Sequence, residues 1–282
     1  MSQTTFRNNR TLINIVKSYL SFRHRPRLLM AKIDKAFILG FFDYITNVYR
    51  NTKKQDEPKP LALTTLNMLQ NLLTRMLNVA VQEGALNDNP IYTIEQKQKI
   101  QKADADRCYL TKEEIITLAN TPCVNEVTKA AFMFCVYVGL RFSDVSTLTW
   151  SAVKQTDLGK VITLKAMKKT GRQVTVPLNK SALEWMPECG NAAPSERIFN
   201  MTTLGQCDRV IHKWCEAAGI DKNVTFHTNG HSFAVLALAA GSDLYTVGKL
   251  MGHTNIRSTQ IYADVIMETK IDAVNRMSSF FS

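Results

Sequence analysis

Three of the chain's five histidines fall within residues 226–265, together with Tyr262. His227 and His231 stand four apart in Phe226-His227-Thr228-Asn229-Gly230-His231-Ser232. His253 follows Gly252 and precedes Tyr262 by nine residues, with no glycine or proline between them. A phenol becomes a nucleophile once its proton is taken, and an imidazole can accept that proton or donate to an anion. These residue types could together supply a nucleophile and the groups that activate it. Further upstream, Gly139-Leu140-Arg141-Phe142-Ser143-Asp144 sets an arginine at a glycine break after a fully apolar run, where it can reach out of the core. Asp144, three residues on, can hold it by a charge-assisted hydrogen bond. Taken singly, Tyr262 reads as a core tyrosine and Arg141 as a structural arginine.

Such groups need elements to position them. Residues 9–21 carry Leu12, Ile13, Val16, Tyr19 and Leu20 at helical spacing. The cluster Arg23-His24-Arg25-Pro26-Arg27 contains a helix-breaking proline and cannot be buried. Its arginines read equally as a loop or helix end facing phosphate or as a solvated basic turn. Asp34 caps a second helix bearing Phe37, Ile38, Phe41, Phe42, Ile45 and Val48 on one face. Residues 51–60 read as a loop. Thr64 caps a third helix through Glu83, with a stripe of Leu66, Leu69, Leu73, Met76, Leu77 and Ala80, and Gly84 ends it. This makes residues 1–103 a small all-α domain, and the polar stretch 95–108 is its linker to the rest.

A second domain, 104–282, opens on the capping-box pattern Thr111-Lys112-Glu113-Glu114. A buried helix ending at Gly139 follows. The β-branched runs 161–165 and 172–178 flank Met167-Lys168-Lys169-Thr170-Gly171, a hairpin with lysines at its tip. Read alone, such a tip is solvated. Helices are expected over 203–218, 228–239, 243–251 and 255–264. The tail, with Ile271, Val274, Met277, Phe280 and Phe281, is too apolar to float free. It packs on its own domain or docks into a neighbouring subunit. The fold class is therefore mainly α with a small β-hairpin or sheet, an all-α N-terminal domain joined to a mixed α/β one.

Composition narrows the partners. The 282 residues are 45% hydrophobic and 21% charged, which is ordinary, but the net charge is +11. Residues 1–103 hold 16 Lys/Arg against 7 Asp/Glu, a net of +9, and the remainder nets only +2. A polyanionic partner follows, nucleic acid ahead of an anionic membrane surface. No apolar run approaches the roughly 20 residues of a membrane span, and the N-terminus lacks a signal-peptide core. Six cysteines without a Cys-x-x-Cys pair read as reduced thiols of a cytoplasmic protein. No ligand cluster of the usual spacing calls for a metal, and no cofactor is expected.

Taken in order, Arg141, the hairpin lysine, His227, His253 and Tyr262 resemble the tyrosine recombinases, the phage integrases and their transposon relatives. The words Gly-Leu-Arg-Phe-Ser-Asp, Lys-Thr-Gly with Val-Thr-Val-Pro-Leu, and Leu-Met-Gly-His-Thr with Ile-Tyr carry the likeness across residues 110–265. The basic helical domain before them is similar to that family's core-binding domain. The flavour is closest to integrases of mobile elements in Bacteroides-like bacteria, although no preceding arm-type DNA-binding domain is visible. The resemblance implies cleavage and rejoining of double-stranded DNA at a recombination site through a 3′-phosphotyrosyl bond. Tyr262 is then the nucleophile, and Arg141, His227 and His253 donate to the developing charge. Lys169 protonates the 5′-hydroxyl leaving group, Lys168 holds that role if the hairpin register shifts by one, and His231 orients or assists as base. Arg23, Arg25, Arg27, Lys168, Lys169 and Arg172 are the DNA-binding candidates. A homotetramer on DNA, joined through the C-terminal tail, and accessory DNA-bending proteins complete the partners.

One position departs from the family. Its pattern is His-x-x-Arg, and this chain has Gly230 where the arginine is expected. Loss of one transition-state donor costs about 10²–10³ in rate, so impaired catalysis is expected unless Arg257 or Lys249 substitutes. The rivals are a non-cleaving DNA-binding protein on the same fold and DNA relaxation of the type IB topoisomerase kind.

Overall fold

A computed structural model describes residues 3–50, 58–101, 108–164, 171 and 173–263. The chain divides into two compact units, Met1–Ala105 and Asp106–Ser282. Lys168, Lys169, Arg172 and the C-terminal tail lie outside the described residues.

In the first unit, α1 (Gln3–Phe22) buries Leu12, Ile15 and Tyr19. Ile13, expected inward, is 40% exposed, so the helix sits at a different rotation from the one its apolar pattern suggests. Aromatic packing selects that rotation. The Tyr19 ring lies 5.3 Å from those of Phe37 and Tyr44, and the Tyr44 hydroxyl meets Ser18 Oγ at 2.7 Å. Helix α2 (Lys35–Asp43) begins on Asp34, whose carboxylate accepts the Phe37 N–H at 2.8 Å as expected. It runs on into a π turn, Tyr44–Val48. Helix α3 (Leu63–Gln82) starts after Ala62 without a side-chain cap, so Thr64 is not its cap. Leu72 joins its buried stripe and Met76 does not. Residues 95–101, expected as linker, are tied to α3. Gln70 Oε1 accepts the Ile100 N–H at 2.9 Å, and Asn67 Nδ2 donates to Gln101 O at 2.6 Å.

The second unit opens with α4 (Lys112–Asn120), capped by the expected reciprocal bonds. Thr111 N–H donates to Glu114 Oε2 at 2.7 Å, and Glu114 N–H donates to Thr111 Oγ1 at 3.3 Å. Helix α5 (Glu126–Val138) is apolar on nearly every side and forms the middle of the larger core. After the short α6 (Phe142–Val145) come β1 (Val153–Thr156), β2 (Gly159–Leu164) and β3 (Val174–Pro177) in an antiparallel sheet of that order. Ile162 pairs with Val153 on one side and Val176 on the other. The hairpin strands fall where expected, and β1 is an addition. Then follow α7 (Lys180–Glu184), α8 (Leu204–Ala217), α9 (Thr228–Ala239), α10 (Leu244–Leu250) and α11 (Arg257–Ala263). Helices α9, α10 and α11 share a smaller core of Phe233, Ala234, Val235, Leu238, Val247, Met251 and Tyr262. Among the described residues no helix is long and apolar enough to cross a membrane.

Candidate active site

Two glycine turns, at Gly139 and Gly252, set Arg141 and His253 in place. Helix α5 ends at Gly139, whose φ of 71° is left-handed and whose missing Cβ leaves room for the Phe233 ring of α9. A Cβ there would stand 2.6 Å from that ring. The chain can therefore turn at once, placing Arg141 at the N-cap of α6 with Asp144 buried within that helix. The Nη1 of Arg141 is buried with no hydrogen-bond partner among the described residues. A buried guanidinium N–H gains more from an anion than from a neutral acceptor, so Arg141 is suited to hold one. Phe142 packs its ring 5.2 Å from Phe226, one residue from Arg141 and one from His227, which brings those two positions near each other.

His227 is the N-cap residue of α9 and is held by its predecessor. Phe226 is fully buried, and its N–H donates to Asp208 Oδ1 at 2.7 Å. One turn on, the His231 ring lies 5.2 Å from that of His227, nearly perpendicular to it. His231 Nδ1 sits 2.7 Å from the Tyr262 hydroxyl. Tyr262 is only 5% exposed and belongs to the smaller core, so packing fixes its ring while His231 fixes its hydroxyl. The second turn is Gly252, with φ 62°, which closes α10 and sets His253 behind it. His253 N–H donates to Gly248 O at 2.9 Å, and His253 Nδ1 meets Thr259 Oγ1 at 2.8 Å. Both imidazoles thus engage α11, one at Thr259 and one at Tyr262.

Gly230 lies in the first turn of α9. A Cβ there would meet only the Met251 Cε, at 3.6 Å, an ordinary contact. The backbone therefore tolerates a side chain at this position.

A cleft of about 720 Å³ opens beside His227 and His231, lined also by Cys108, Tyr109, Lys222 and Thr225. Lys222 was not anticipated from sequence. Its ammonium donates to Glu114 Oε2 at 2.7 Å and to Tyr109 O at 3.1 Å. Only the polar run Asp221-Lys222-Asn223 ahead of His227 marks it in the sequence. In the first unit, Arg23, Arg25 and Lys32 line a smaller cleft of about 250 Å³, and Arg27 is exposed outside its lining. Residue His24 between those arginines has a left-handed φ of 53°. Burial pushes the Cys135 thiol well up and the Cys215 thiol up to about 12, so both stay protonated near neutrality. No group of His, Cys, Asp and Glu among the described residues is arranged to hold a metal ion.

Comparison with known proteins agrees with this scaffold. Residues 109–269 match the phage integrase family, and residues 1–100 match the phage integrase SAM-like domain. A tyrosine recombinase of Pseudothermotoga lettingae is 26% identical over 269 residues, covering 93% of this chain and 88% of that protein. Among solved structures, a lambda integrase dimer bound to a COC′ core site shares the fold, with a TM-score of 0.70 at 18% identity. The match covers 93% of this chain and 89% of that one. The Tn1549 transposon integrase in complex with circular intermediate DNA gives a TM-score of 0.66 at 17% identity, over 93% and 90%. This chain belongs to the phage integrase family of tyrosine recombinases. Membership implies site-specific recombination of DNA.

Proposed function

We propose that this chain binds a duplex recombination site and forms a 3′-phosphotyrosyl bond through Tyr262, as part of the integration or excision of a mobile element. The observation that carries the reading is the 2.7 Å contact between His231 Nδ1 and the Tyr262 hydroxyl, which joins a proton acceptor to the nucleophile. In the forward step the Tyr262 oxygen bonds to phosphorus as its proton passes to His231. The P–O5′ bond breaks, and the 5′ oxygen takes a proton from Lys169, or from Lys168 in the shifted register. Arg141, His227 and His253 donate to the non-bridging oxygens as charge develops there. The buried Arg141 Nη1, which has no partner among the described residues, supports that role. Strand exchange takes place in a homotetramer on DNA, with the tail joining subunits and DNA-bending proteins assisting. Arg23, Arg25, Arg27 and Arg172 contact backbone phosphate. Residues 1–103 act as the core-binding domain and 104–282 as the catalytic domain.

Catalysis in this chain is impaired by Gly230, which supplies no donor where the family places a guanidinium. The open surroundings of that glycine support Gly230→Arg as a repair. A nicked substrate carrying the cognate site traps cleavage when the short flanking strand diffuses away. The expected result is a weak covalent protein–DNA band from this chain, strengthened about 10²–10³-fold by Gly230→Arg and abolished by Tyr262→Phe in either background. A strong band from the unmodified chain would mean that another cation replaces the arginine. Site-specific binding without cleavage by either version would favour the second reading, a DNA-binding protein that no longer cuts, which Gly230 also supports.

A further inference from the structure

The contact between His253 and Thr259 serves no purpose in the chemistry described so far, although it ties His253 to the nucleophile's own helix. Thr259 is fully buried, three residues before Tyr262 on α11. Its hydroxyl has one hydrogen-bond partner among the described residues, His253 Nδ1 at 2.8 Å. A threonine hydroxyl is both donor and acceptor, and its buried proton needs an acceptor. If Nδ1 carried a proton and donated to Thr259, the hydroxyl proton would be left without one. If Nδ1 is bare, the hydroxyl donates to it and the arrangement is satisfied. The neutral imidazole then carries its proton on Nε2. The site is also shaped to admit the hydroxyl, because a Cβ on Gly248 of α10 would lie 3.0 Å from Thr259 Oγ1. Glycine at 248 leaves Oγ1 its place, and Oγ1 in turn holds the imidazole.

We infer that Thr259 is a positioning residue that locks His253 in the Nε2–H tautomer, so that the imidazole presents an N–H donor to a phosphate oxygen without having to be charged. Thr259 lies one turn before Tyr262 on the same helix, so donor and nucleophile are set by one element. A shift of α11 that misplaces Tyr262 also releases the tautomer of His253. The inference rests on the recombinase reading for the identity of the oxygen, but the tautomer itself does not.

Selective ¹⁵N-histidine labelling of the full chain tests it without DNA. The expected spectrum gives His253 an unprotonated Nδ1 and a protonated Nε2 near neutral pH. Thr259→Ser keeps that pattern, and Thr259→Val gives a mixture of tautomers. Gly248→Ala, which crowds Oγ1 while leaving the hydroxyl in place, moves the pattern in the same direction as Thr259→Val and guards against loss of folding in the valine variant. A protonated Nδ1 in the unmodified chain, or an unchanged tautomer in Thr259→Val, overturns the inference. The nicked-substrate assay in the Gly230→Arg background supplies the functional arm. Thr259→Val should lower covalent complex formation about tenfold or more, and Thr259→Ser should restore it. A mixed tautomer with undiminished cleavage overturns the catalytic part. The expected tautomer in a chain that cleaves in no version counts against the recombinase reading and leaves the tautomer assignment supported.

Discussion

Tyr262 and His231 share a hydrogen bond of 2.7 Å, and the ring behind that hydroxyl is anchored in apolar packing. A base acting by proton transfer contributes about 10²–10⁴ in rate. His231→Asn in the Gly230→Arg background should therefore slow single-turnover cleavage by about that factor and leave DNA affinity unchanged. An equal loss in affinity would make His231 a support of the fold instead. The histidines and the tyrosine were legible because their spacing is local and their side chains are rare. Thr259 was not. It sits in Arg257-Ser258-Thr259-Gln260, a run that reads as a solvated helix face, and only the packing of α10 against α11 shows that the third of these residues is enclosed.

At the scale of elements, the sequence was most informative where a side chain closes its own backbone. Asp34 and Thr111 announce helix starts because each cap bond spans three residues. α3 has no such bond, and it starts at Leu63, two residues ahead of the start that a Thr64 cap implies. The rotation of α1 was misread because Ile13, Ile15 and Val16 allow two apolar faces, and contacts with Phe37 and Tyr44 choose between them. β1 was missed because Val153-Lys154-Gln155-Thr156 is an outer strand with mostly exposed residues and no apolar alternation. Gly139 carries the element-scale prediction. An alanine there adopts a left-handed conformation and drives its Cβ into Phe233, for about 2–4 kcal/mol of lost stability. A urea melt of Gly139→Ala should show this, with covalent complex formation falling as well because α6 and Arg141 are displaced. A melt unchanged from the parent would show that α9 yields to the methyl group.

Across the whole molecule, charge and chemistry are divided. Residues 1–103 hold a net charge of +9, whereas the histidine–tyrosine constellation lies wholly within the second unit. If the first unit grips phosphates, binding releases counterions in proportion to the contacts made. Affinity for a cognate duplex should then fall about 10³-fold or more between 50 and 200 mM salt for six or more contacts. Anisotropy titrations across that range check it, and a flat response would remove DNA as the partner of the basic unit. The boundary between the units was only partly legible. Polar composition marked 95–108 as linker, but Gln70 and Asn67 bind the backbone of residues 100 and 101, and composition does not record such ties.

The double membership of Tyr262, in the proposed reaction and in the core of α9, α10 and α11, shapes how this lineage can lose its activity. Trimming the hydroxyl to phenylalanine leaves the ring in place and removes one hydrogen bond, worth about 0.5–1.5 kcal/mol. Trimming the ring to alanine opens a void at about 3–5 kcal/mol. Mutational decay at this codon is therefore filtered by folding before it is filtered by function. Inert descendants that persist as intact proteins will be enriched in phenylalanine at 262, still able to occupy a site and compete there with active copies.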